Sequence, residues 1–238
     1  METRWFICAA VLSAFLAGTS SSADAITWNF TGYGGEGSIG NSRSFASEGV
    51  TVTATAWSYT STGFQAARLG LWSTGLGVCN QAETCGNPSH QVDNSGRQEY
   101  VLFQFSSAVD PLSVRIDPYG TYDRDVSYWT GNVTLPSDLL AGETYGSLTG
   151  SSGVGFFSRI DNYGSISSSP RDVSITSPYV TAMLFGPGYN SGGNDYFKIT
   201  SLTGTARTTS VPEPTALLLL SLGLFGLVWL HSKRQFTA

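Results

Sequence analysis

Val50 to Tyr59, VTVTATAWSY, alternates β-branched or aromatic residues with small or polar ones over ten positions. A period of two is the mark of a strand with one face buried. The same alternation recurs along the body of the chain: 26–31 (ITWNFT), 64–72, 99–106 (EYVLFQFS), 112–117, 125–130, 154–160, 173–176, 179–185 and 195–205. Clusters of Gly, Asn, Asp, Ser and Pro, the residues that set turns, separate these runs. No apolar stripe of helical period exceeds a turn, and only 136–141 (PSDLLA) could open a helix. No repeat of fixed period is present. Roughly ten short strands in this arrangement predict an all-β fold, an antiparallel β-sandwich of jelly-roll type.

Residues 26–207 suffice for one domain with its own core. Charged residues make up only 12% of the chain. Within 26–207, 9 Lys/Arg face 14 Asp/Glu, a net charge of −5. An acidic surface repels a phosphate backbone, which argues against nucleic acid as a partner. Few charges with many aromatics and hydroxyls fit an exported β-protein better than a disordered acidic chain.

Both ends carry targeting signals. Residues 1–25 read as a secretory signal peptide: Arg4 is the positive start, Trp5 to Ala17 the short apolar stretch, and Ala23-Asp24-Ala25 the small-x-small cleavage pattern. The mature chain is expected to begin at Ile26. A linker, 208–214, contains Pro212, Glu213 and Pro214, and a transmembrane helix is expected over 215–230. Its uncharged run from Ala216 to Leu230 would be about 22 Å long, short against a hydrocarbon core of about 30 Å. Trp229, His231 and Lys233 can reach the interface and make up part of the mismatch. Basic residues in the tail, 231–238, favour a cytoplasmic C-terminus and leave the body outside.

The Pro-Glu-Pro triplet, the apolar run and the basic pair Lys233 and Arg234 together resemble the PEP-CTERM sorting signal of bacterial proteins handled by an exosortase. Inside the body, GLGV (75–78), then HxVDN (His90 to Asn94), then the strand after it resemble exosortase-dependent surface proteins, as do the early Trp57, the later DxD of Asp123 and Asp125 and the closing NDYFKI (Asn194 to Ile199). The resemblance implies the export machinery and an exosortase as partners. It also implies a membrane-anchored precursor and delivery to the surface or extracellular matrix of a Gram-negative-type bacterium. It supplies no catalytic residue. The function expected is that of a non-enzymatic module binding or embedding in exopolysaccharide within a biofilm. The alternatives are a secreted glycan-active enzyme with paired carboxylates and an adhesin that keeps its anchor.

Cys8 lies in the signal peptide, so Cys79 and Cys85 are the cysteines of the mature chain. In an oxidising compartment they are expected to pair, closing a small loop worth about 2–2.5 kcal/mol. His90, Asp93 and Asn94, with Asp123 and Asp125, form the candidate ion or ligand loop. Oxygen ligands on loops suit Ca2+, while Asp and Asn also cap their own turns. No cofactor beyond that ion is expected. For glycoside hydrolysis the available acids are Glu99, Asp117, Asp123, Asp125 and Asp161. Neither GxSxG nor HExxH occurs, and His90 is the only histidine between the two targeting segments. Trp57, Trp72, Tyr119, Tyr122, Trp129 and Tyr189 could stack on sugar rings, although aromatics also fill sandwich cores.

Overall fold

The computed structural model describes residues 25–85, 90–133, 140–150, 153–191, 194–207 and 223–224. The expected signal peptide (except Ala25), the candidate helix start at 136–139, the Pro-Glu-Pro triplet and most of the apolar segment lie outside the described residues. Gly223 and Leu224 are helical. Among the described residues no helix is long and apolar enough to cross a membrane.

The fold is all-β and antiparallel, as the period of two requires. In chain order the strands are β1 (Ala25–Asn29), β2 (Ser42–Ser47), β3 (Val50–Thr60), β4 (Gly63–Ala66), β5 (Arg68–Trp72), β6 (Gly75–Cys79) and β7 (Val92–Asp93). They continue with β8 (Gln98–Asp117), β9 (Val126–Gly131), β10 (Ile160–Asn162), β11 (Arg171–Ser174), β12 (Val180–Pro187) and β13 (Tyr196–Ala206). Pairing links them all into one network with the central order β10-β9-β12-β8-β13-β6-β5. β1 and β7 add to β13, β3 and β11 add to β8, and β2 and β4 add to β3.

β8 is the axis of the network. The two runs expected at 99–106 and 112–117 are one strand of 20 residues. Its first half pairs with β3, from Val52↔Phe105 to Tyr59↔Gln98, and with β12. From Val109 to Asp117 it lies along β13 instead. Pro111, which has no N–H to donate, stands opposite Gly204 where the register of β13 shifts. Chain order also places the first and last strands side by side, with Ala25 opposite Thr205 and Asn29 opposite Ser201.

The apolar runs of β8 and β12 do not alternate with polar residues because both of their faces are covered. Val101, Phe103 and Phe105 of β8, with Met183 and Phe185 of β12, join Trp28, Phe30, Val52 and Ile199 in the larger core. The intervening Tyr100, Leu102, Ala182 and Leu184 join Trp57, Phe64 and Trp129 in a second core. The segment between β9 and β10 closes that second face with Val133, Leu140, Leu148 and Phe156. It includes a 3-10 turn at Tyr145–Ser147 whose N-terminus is capped by Thr144. Of the strand expected over 154–160 only Ile160 is in a strand, as the first residue of β10, because the chain before it serves as this cover.

Strand β6, read only as a motif in the sequence, is buried along its length. Gly77 is required there, since a Cβ would lie 1.8 Å from the carbonyl oxygen of His90. Cys79 and Cys85 form the expected disulfide, with Cα atoms 5.7 Å apart.

Candidate functional site

Asp123 and Asp125 lie in the turn between β8 and β9, and Asp195 immediately precedes β13. Asp123 bridges Asp195 through a parallel backbone contact. One carboxylate oxygen from each of the three lies within 4.8 Å of the others. That spacing fits oxygen ligands around one ion, since Ca–O distances are about 2.3–2.6 Å. Asp125 and Asp195 are buried, and Asp123 is half-buried.

Asp195 is also the hub of the loops. Its Oδ1 accepts from the main-chain N–H of Asp125 at 3.0 Å. Its Oδ2 accepts from Ser191 Oγ at 2.6 Å, Asn94 Nδ2 at 2.8 Å and Gly188 N at 3.2 Å. Asn94 Oδ1 in turn accepts from Asp195 N, at 3.0 Å. Asp125 accepts from Gly164 N at 2.6 Å, and Asp123 from the N–H of Arg124 at 2.8 Å. Burial raises the Asp195 carboxyl to about 6 despite its donors, with help from the charges of Asp125 and Asp123. Burial pushes Asp125 up as well. The Arg171 guanidinium, which donates to the carbonyls of Arg124 and Tyr163, offsets part of the local negative charge.

The candidate loop residues therefore go to different places. Asn94 joins Asp123 and Asp125 at Asp195. His90 packs against Trp72 with the rings tilted and their centroids 4.5 Å apart, and its carbonyl accepts from Lys198 Nζ at 3.0 Å. Lys198 sits 3.8 Å above the Trp72 ring, and burial lowers its amine to about 7. Asp93 caps its own turn by accepting from Ser95 N at 2.8 Å, and it feels the charge of Glu83. The DxD and NDYFKI motifs are visible in the sequence, but neither marks Asp195 as part of the site. The signal was there in the two motifs together, but nothing in the chain joins residues 70 positions apart.

Among the carboxylates open to hydrolytic chemistry, Glu99 is fully buried and accepts from Asn80 through both N and Nδ2. Asp161 accepts from Ser127 Oγ at 2.6 Å and pairs with Arg159. Of the aromatics, Trp57 and Trp129 belong to the second core. Tyr189 lies under Arg159, Tyr122 packs on Tyr196, and Tyr119 is exposed.

No curated protein and no solved structure matches the chain. The family model of the PEP-CTERM protein-sorting motif matches residues 210–234, the stretch with the triplet, the apolar run and the basic pair. The motif implies recognition by an exosortase and membrane-anchored processing toward the cell surface. The chain is thus an exported protein that carries a PEP-CTERM sorting signal at its C-terminal end.

Proposed function

We propose that the body, 26–207, is a non-enzymatic module of jelly-roll-like sandwich type that binds or embeds in exopolysaccharide after an exosortase has cut it from its anchor. The observation that carries this reading is the sorting-motif match at 210–234 following an all-β body. Glu99, fully buried and bonded to Asn80, and Asp161, bonded to Ser127 and paired with Arg159, are held in structural contacts, which supports a binding role over paired-carboxylate hydrolysis. The exported protein, incubated with the producing cells' own exopolysaccharide, should be retained on it and release no new reducing ends. Release of reducing ends that stops in Asp123→Asn and Asp125→Asn would replace the binding module with a hydrolase.

The convergence of Asp123, Asp125 and Asp195 favours a second element of this reading, a Ca2+ ion held at their shared point. An ion bound only by the folded state at 100 times its Kd adds about 2.7 kcal/mol. Melting of the full-length protein in detergent should therefore rise by several degrees from EGTA to millimolar Ca2+, and less in Asp123→Asn. An identical transition in both solutions removes the ion.

A further inference from the structure

A second group of acids lies under the disulfide loop, apart from the Asp195 site. Glu83 is carried by the loop itself, Asp93 by β7, and Glu99 by the start of β8. Glu99 is fully buried, and its Oε1 is satisfied by Asn80 N at 2.9 Å and Asn80 Nδ2 at 3.2 Å. Its Oε2 is buried with no donor, and so is Oε2 of Glu83. Glu83 and Glu99 are nonetheless within hydrogen-bonding reach of each other. Two ionised carboxylates cannot make that bond, since each only accepts. A single proton between them satisfies both groups, and leaving either one unsatisfied in the interior is costly.

We propose that Glu83 and Glu99 share one proton, and that this proton latches the Cys79–Cys85 loop onto β8 and is lost as the surroundings turn alkaline. The groups facing the pair are Asp93 from β7, Arg97 from the turn before β8, Asn80 from the loop and Tyr196 from β13. Arg97 is the cation beside the pair, and a buried Nη1 of its guanidinium has no acceptor; Arg68 of β5 reaches the loop at its other end, donating to Cys85 Sγ at 3.0 Å. Burial raises Asp93 itself to about 7, so above that pH ionising both glutamates would set three negative charges against Arg97, with Arg68 held at Cys85. Burial already raises both Glu99 and Glu83, and the neighbouring acids raise Glu99 further. For a carboxyl raised by folding, the native state holds the proton more tightly than the unfolded chain. The stabilisation is complete below the unfolded value of about 4.3 and disappears as pH climbs through the folded one. The outer part of the loop, 80–85, then loosens while the disulfide keeps its ends joined.

Amide hydrogen exchange of the full-length protein in detergent tests this, with each rate corrected for its intrinsic pH dependence. The amides of Asn80 and Ala82 report the latch, the first because it donates to Glu99 and the second because it donates to Asn80. Between pH 5 and pH 8 their protection should fall at least tenfold in the unaltered protein. In Glu83→Gln an amide N–H replaces the shared proton permanently, so protection should change less than twofold over the same range. Glu83→Ala should lose protection at both pH values. Equal pH dependence in the unaltered protein and Glu83→Gln overturns the proposal, as does protection that does not change with pH in the unaltered protein. Glu83 lies on a surface loop, so its variants avoid the folding risk of altering buried Glu99.

Discussion

Replacing Asp195 by alanine is expected to destabilise the body by about 3–4 kcal/mol, lowering its melting temperature by about 10 °C for a domain of this size. Few side chains here tie together so much chain. Its carboxylate takes donors from Asp125, Gly188, Ser191 and Asn94, which lie on three separate connections. Alanine leaves two main-chain N–H groups, an amide and a hydroxyl without that acceptor, in a place where Asp195 itself is fully buried. Asparagine keeps the shape but turns one acceptor into a donor facing donors, so Asp195→Asn should cost about half as much.

Acid–base linkage gives a second readout. Asp195 is raised from 3.8 to about 6, first by burial and then by Asp125 and Asp123, against the lowering effect of its hydrogen bonds. The proton-linked part of its contribution is therefore complete below the unfolded value and is lost as pH rises through about 6, while the hydrogen bonds to the carboxylate remain. The alanine variant should show a flatter stability profile between pH 4 and 6. Urea unfolding at several pH values measures both effects. A loss under about 1 kcal/mol, within the range of ordinary surface substitutions and single weak contacts, would remove Asp195 as the hub.

The alternation of 50–59 was enough to place β3, and the spacing of the cysteines was enough to pair them. The sequence could not reveal that 98–117 is one strand, because Pro111 and the polar run Ser106-Ser107 read as a break. The strand survives there because it changes partners: Pro111 falls opposite Gly204, where a missing N–H and a shifted register coincide. Strand β2, SRSFAS, offers only Phe45 as a large apolar residue, because its outer face is exposed. Strand β6 was hidden for the opposite reason. It is buried on both faces and its glycines admit close backbone neighbours, so alternation has nothing to mark. At the candidate site, DxD could be read locally. Asp195 completes it from 70 residues away, and a pattern within one window carries no such contact.

Replacing Pro212, Glu213 and Pro214 together by alanine is expected to abolish processing, an all-or-none change. Proline disfavours the α conformation at the residue before it, and an interior proline costs a helix about 3 kcal/mol relative to alanine. By that preference the natural triplet is expected to keep the chain ahead of the apolar run extended, and an extended peptide is what a protease cleft requires. Three alanines remove that barrier and the recognised side chains at once. They alter nothing in 25–207, so the body should retain its melting temperature. Export should also continue, leaving an intact precursor in the membrane fraction.

A sorting signal at 210–234 has to be read and then removed. Mass spectrometry of the protein recovered from the cell surface tests it most directly. The expected mature chain begins at Ile26 and ends ahead of Ala216, with residues 216–230 found only in the alanine-triplet variant. A surface form of the unaltered protein that still contains 216–230 would contradict it.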